Sequence, residues 1–183
     1  MRVITGMARG INLKTPSGMA TRPTSDRVKE ALFSIIQFEI PGARVLDLFG
    51  GTGQLGIEAL SRGAQSCVFV DQSNDACKLI RENLQRTKLQ ESAQVVCSDY
   101  MQYLKKTQNN FEIILLDPPY AEVFLENSLK MITEIDILQS GGIIVTERPV
   151  GKVLELDFQG YTRSKDYRYS STLLTLYRKD SES

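Results

Sequence analysis

The stretch Leu46-Asp47-Leu48-Phe49-Gly50-Gly51-Thr52-Gly53-Gln54-Leu55-Gly56 decides the fold. A β-rich run over residues 44–48 enters it and residues at helical spacing over 55–62 follow, so its glycines occupy a strand-to-helix turn. Gly51, Gly53 and Gly56 fit G-x-G-x-x-G, and Asp71 closes the next strand 20 residues beyond Gly51. Glycines there let the backbone approach a nucleotide closely, and an acid at that distance is placed to bond two ribose hydroxyls. The alternation continues outward. Strand-like runs at 67–71, 94–97, 111–116 and 142–146 are separated by helical periods at 74–88, 101–106 and 124–138. Apolar strands alternating with helices predict an α/β fold with a parallel sheet covered on both faces. Runs at 161–167 and 171–178 have no helix between them and predict a final antiparallel hairpin at the sheet edge. Upstream, residues 1–14 alternate loosely around Gly6 and Gly10, as a short hairpin would, and 15–24 read as a loop. A helix capped by Thr24 or Ser25 follows, with Val28, Ala31, Leu32, Ile35 and Ile36 on one face. One domain is expected, with 1–24 as a basic arm and 25–183 as the body.

Composition narrows the chemistry. The chain has 183 residues, 22 Lys and Arg against 22 Asp and Glu, three Cys and no His. Without imidazole there is no Ser-His-Asp or Cys-His nucleophile, no histidine proton shuttle and no His-ligated zinc, and no metal is expected. Cys67, Cys77 and Cys97 form no C-x-x-C pair and read as small buried apolar residues in a reducing compartment. The first residues lack the pattern of a signal peptide, and the apolar run 113–116 is far short of the ~20 residues a bilayer demands. A cytoplasmic protein without a membrane partner is therefore expected. Zero net charge conceals a partition: residues 1–30 hold six basic side chains against two acidic, whereas 31–160 hold 11 against 17. Only the arm has the sign that a phosphate backbone attracts.

Charge also selects among cofactors. A dinucleotide loop must accept an anionic pyrophosphate, yet Asp47 ends the first strand directly beneath the glycines, where a carboxylate repels that group and suits a cation. S-adenosylmethionine, an adenosine bearing an ammonium and a sulfonium, is such a ligand. Asp99, after the third strand, is placed either to bond the adenine amino group or to cap the following helix. The fourth strand runs into Asp117-Pro118-Pro119-Tyr120. Two prolines fix the backbone and remove two N–H donors, leaving carbonyls and the Asp side chain at the carboxyl end of the sheet. Asp117 and the Pro118 carbonyl can together accept both hydrogens of an exocyclic amine, and Tyr120 offers a face for an unstacked base.

D-x-F-x-G-x-G, acids after the second and third strands and D-P-P-Y resemble the class I S-adenosylmethionine-dependent amino-methyltransferases. The opening Arg2 to Gly6, Arg9-Gly10 and Thr21 to Phe33, together with Gly56 to Ala64 and Leu173 to Arg178, is similar to the bacterial family that methylates N2 of guanine 966 in 16S ribosomal RNA. The resemblance spans nearly the whole chain. It implies a Rossmann-like fold with a mostly parallel seven-stranded sheet, a C-terminal antiparallel hairpin and a short N-terminal β-hairpin arm. It implies Asp47, Phe49, Gly51, Gly53, Asp71, Asp99 and Tyr100 at the cofactor and Asp117, Pro118, Pro119 and Tyr120 at the target base. Arg9, Arg22 and Arg27 are the candidates for phosphate contacts with 16S rRNA or an assembling small ribosomal subunit. The chain departs from the family pattern at Ala8, at Gly50 where Ala is common, and at Tyr169-Ser170 where Tyr-Gly is common. Competing readings are methylation of adenine N6 or a protein glutamine, a dinucleotide-dependent oxidoreductase, and a non-catalytic RNA-binding module.

Overall fold

Parallel strands form the centre of the sheet, and antiparallel strands extend one edge of it. The computed structural model describes residues 1–16, 26–119, 122–151, 154 and 157–181. In chain order the elements are α1 (Asp26–Ile35), β1 (Arg44–Asp47), α2 (Gln54–Ser61), β2 (Ser66–Asp71), α3 (Asn74–Thr87), β3 (Ala93–Cys97), α4 (Tyr100–Lys106), β4 (Phe111–Leu116), α5 (Glu122–Ile135), β5 (Leu138–Pro149), β6 (Tyr161–Arg163), β7 (Tyr167–Tyr169) and β8 (Thr172–Lys179). The expected hairpin partner of the last strand is split. Among the described residues the strand order is β3-β2-β1-β4-β5-β8-β6, parallel through β5 and antiparallel beyond, and β6 and β7 pair with opposite ends of β8, so eight strands fill seven positions. The interruption falls at 164–166, where Asp166 leaves the ladder to meet Arg148 and Arg163.

Strand alternation sorts the core into two layers. Val45, Ile113, Leu115, Ile143 and Val145 pack with Leu32, Phe33, Ile57 and Leu60 of α1 and α2. Leu46, Leu48, Ile114, Leu116 and Ile144 pack with Leu104, Leu125, Leu129 and Ile132 of α4 and α5. The helix expected to reach Leu138 stops at Ile135, because Asp136 turns left-handed (φ 58°) and Leu138 joins β5 opposite Phe111. The cysteine expectation needs a correction: Cys67 and Cys77 are buried, but Cys97 is exposed at the end of an edge strand, and the structure bonds it to Cys77. Among the described residues β3 has a neighbouring strand on one side only and buries none of its five residues fully, which period alone does not reveal.

The first residues belong to the same core. A single bridge, Arg2 with Asn12, closes the turn in place of two full strands, and Val3, Ala8 and Leu13 are buried with α1 and α2. Glu58 holds this segment down. Its buried carboxylate accepts the Ile4 and Thr5 N–H groups at 2.8 and 3.0 Å and the Arg62 Nε at 2.9 Å, with Lys29 Nζ at 3.5 Å. Lys29 Nζ also donates to the Arg2 carbonyl at 2.5 Å. Removal from water pushes the Lys29 ammonium below its ordinary pKa, opposed by the Glu58 charge.

Candidate active site

A cleft of about 1490 Å³ opens along the carboxyl ends of the parallel strands, where open α/β sheets bind ligands. One acid stands at the end of each strand and all five line the cleft: Asp47 after β1, Asp71 after β2, Asp99 after β3, Asp117 after β4 and Glu147 near the end of β5. The volume exceeds the ~300–1,000 Å³ usual for one small ligand, which leaves room for a cofactor and a base together.

At the glycine loop, Gly53 takes a left-handed conformation (φ 79°) as the N-cap of α2, which glycine adopts without a Cβ clash. Gly56 lies against Phe69 and Cys67, so any Cβ there would collide with both side chains and push α2 off the sheet. Asp47, 2% exposed, accepts the Gly56 N–H at 3.0 Å. A first-turn donor that a phosphate-binding loop would offer to its ligand is thus taken by a carboxylate, which disfavours the dinucleotide reading. Burial, with the Asp117 and Asp71 charges adding to it and the Gly56 bond opposing, pushes the Asp47 carboxyl up to about 7. Gln54 Oε1, also lining the cleft, is buried with no hydrogen-bond partner. An orphaned acceptor and a desolvated carboxylate in one cleft fit a cationic donor such as an ammonium.

Asp71 is held by backbone: Oδ2 accepts from Gly51 N and Oδ1 from Ser73 N, both at 2.8 Å. Each carboxylate oxygen keeps a further acceptor site, so the pair remains capable of bonding a diol. Asp99 is the N-cap of α4, with Oδ1 accepting from Met101 N and Gln102 N at 2.9 and 3.2 Å. Capping uses one oxygen and points the other role at Oδ2. Phe49 and Tyr100 form an aromatic wall, ring centroids 5.3 Å apart, extended by Phe124 at 5.9 Å from Tyr100. Burial raises the Tyr100 phenol. Asp117, Pro118 and Pro119 line the same cleft; Tyr120 lies outside the described residues.

Several contributors escaped the sequence reading. Phe124 belongs to a helix whose apolar positions look like core. Asn83, buried in α3, joins the arm to the glycine loop: Nδ2 donates to the Thr52 and Lys14 carbonyls and Oδ1 accepts the Lys14 N–H. Nothing in its helical neighbourhood marks it. Glu147 had a signal, since it follows the predicted strand 142–146 as Asp99 and Asp117 follow theirs. Of the basic candidates, Arg27 is exposed on α1 beside cleft-lining Val28. Arg9 is exposed near the other end of α2, where Met7 N and Ala8 N bond Ser61, and Arg22 lies outside the described residues. Among the described residues there is no cluster of three or more metal-ligating side chains, and no helix is long and apolar enough to cross a membrane.

The family model described as conserved hypothetical protein 95 matches residues 1–178. The Bacillus subtilis protein YlbH is 40% identical over 182 residues, 98% of this chain and 99% of its own. Ribosomal RNA small subunit methyltransferase D of Haemophilus influenzae is 34% identical over 157 residues, 84% of this chain and 81% of its own. Among solved structures, the Escherichia coli protein yhhF superposes with a TM-score of 0.89 at 30% identity, covering 100% of this chain and 99% of that one. With a mostly parallel Rossmann-like sheet, an antiparallel C-terminal edge and these similarities over its whole length, the chain belongs to the conserved hypothetical protein 95 family and is a homologue of ribosomal RNA small subunit methyltransferase D.

Proposed function

We propose that this protein is an S-adenosylmethionine-dependent methyltransferase that modifies the exocyclic N2 amine of a guanine in 16S ribosomal RNA. One observation carries the reading: a desolvated acid under a glycine loop and the Asp117-Pro118-Pro119 turn share a single cleft. Asp47 and the Gln54 Oε1 would hold the cationic end of the cofactor, Asp71 its ribose hydroxyls, Asp99 its adenine amine, and Phe49 and Tyr100 its ring. When bound, S-adenosylmethionine supplies a methyl group whose bond to sulfur breaks as the bond to nitrogen forms, leaving a neutral thioether. Asp117 accepts one hydrogen of the target amine and the Pro118 carbonyl the other, which orients the nitrogen lone pair toward the glycine loop. The amine becomes acidic only as it is alkylated, so the carboxylate of Asp117 suffices to take the proton and no histidine is needed. Tyr120 completes the motif as the stacking face. Arg27, beside cleft-lining Val28, together with Arg9 and Arg22, contacts RNA phosphates.

The test is transfer of labelled methyl to 16S RNA, and to small subunits from a strain lacking the enzyme, with the product base identified. Asp117→Ala is expected to lower turnover by at least about 100-fold while S-adenosylmethionine binding survives. Normal turnover in that variant removes Asp117 from the mechanism.

A further inference from the structure

Resting on the guanine reading above, we infer that Glu147 is the residue that selects guanine, by accepting the ring N1–H next to the amine held by Asp117. In register, Leu115 pairs with Val145 and Leu116 with Thr146, so Asp117, the residue just past the end of β4, and Glu147 of β5 are the next positions where the two strands run about 4.8 Å apart. Both continue the alternation of Leu115 and Val145, whose side chains belong to the α1 and α2 layer, and both line the cleft. Arg148, the next residue, sits on the opposite face. Its guanidinium bonds Thr175 Oγ1 and Asp166 Oδ2, each at 2.7 Å. This buried anchor fixes the end of β5 and so the position of Glu147.

The chemistry then selects one base. Adenine and cytosine carry an exocyclic amine beside a ring nitrogen that is an acceptor, which a carboxylate repels. Guanine alone carries an amine beside a ring N–H. A base drawn out of its stack is read along this edge, and an ionised carboxylate is acceptor-only. Asp117 recognises any exocyclic amine, and Glu147 makes the pair specific for guanine. A site built to bond an N–H rejects an analogue lacking it far more strongly than a hydrophobic pocket rejects a missing methylene.

The experiment places 2-aminopurine, which keeps the 2-amine but has a bare N1 lone pair, at the guanine methylated by the wild-type enzyme. The substituted 16S RNA is made by ligation and assembled into small subunits. The wild-type enzyme is expected to favour guanine over 2-aminopurine by at least about 30-fold in kcat/KM. Glu147→Gln is expected to cost guanine about tenfold or more and to collapse the ratio, because its amide can donate to the bare N1. Glu147→Ala should lower guanine and raise 2-aminopurine, because it removes the acceptor for N1–H and the repulsion of the bare N1 together. Thermal melting and S-adenosylmethionine binding establish that each variant folds. A wild-type ratio near one, which needs no variant, overturns the assignment, as does a folded Glu147→Gln that keeps the wild-type ratio. If the wild-type enzyme places no methyl on guanine N2, the function reading fails instead.

Discussion

Replacing Asp47 by Asn should uncouple cofactor binding from pH. In the ligand-free protein burial holds the Asp47 carboxyl near 7, against an ordinary value of 3.8, so it is largely protonated at pH 5.5. A bound cation favours the anion, and binding below pH 7 must therefore expel a proton. If the bound pKa returns to the ordinary carboxylate range, the apparent Kd for S-adenosylmethionine falls about 25-fold from pH 5.5 to pH 7.5. The ligand's own α-amine has its midpoint above this window, near 7.7–8.0, and offsets the change by less than about twofold at pH 7.5. Asp47→Asn keeps an oxygen for the Gly56 N–H but no charge, so its Kd should be flat with pH and about 10- to 150-fold weaker than wild type at pH 7.5. Stability moves the other way. The raised pKa means that the folded chain binds a proton the unfolded chain has lost, so wild-type stability falls as pH rises from about 4 to about 7, by at most about 4 kcal/mol. The ligand-free variant escapes that loss and should melt higher than wild type at pH 8. Isothermal titration calorimetry in buffers of different ionisation enthalpy reads affinity and proton release together. A wild-type Kd that does not change between pH 5.5 and 7.5, or a variant with the same slope, refutes the argument.

Other consequences are separable. Glu58→Ala leaves the Lys29 ammonium buried without its carboxylate and frees the Ile4 and Thr5 N–H groups; the loss should be about 3–5 kcal/mol, read as a melting temperature about 8–15 °C lower. A fall below about 3 °C would contradict the role assigned to that carboxylate. Ser170→Gly should raise the melting temperature by about 2 °C, because Ser170 occupies the left-handed region (φ 54°) in the turn between β7 and β8; a lower value would show that the side chain matters more than the backbone strain. Arg27→Gln should weaken RNA binding regardless of sequence and reduce the slope of log K against log salt by about one. An unchanged slope in filter binding excludes a phosphate contact at Arg27.

Much of the fold was legible because its signals are local. The glycine loop, the strand-then-helix period and the prolines after β4 each depend on a few neighbouring residues, and together they placed seven of the parallel-sheet helices and strands within one or two residues. Departures arose where packing overruled period. Leu138 reads as the end of an amphipathic helix, but Asp136 stops α5 and hands Leu138 to a strand. The run 161–167 reads as one strand, but the buried Arg148 draws Asp166 out of line and breaks it. Residues 1–24 read as a basic arm of one domain from charge alone, and what holds the segment is not visible there: Val3, Ala8 and Leu13 are core, and Glu58, 53 residues away from Thr5, fastens it to α2.

Sequence by itself determined the kind of site: a glycine turn with acids at strand ends and a rigid proline motif, since residue type and spacing along the chain suffice for those. The tertiary structure alone decided that the five acids face one cleft, that Asp47 is desolvated enough to titrate near neutrality, and that Glu147 stands beside Asp117. Register between strands that are distant in sequence, and exclusion of water by elements packed over them, are properties of the assembled sheet, and no local pattern encodes them.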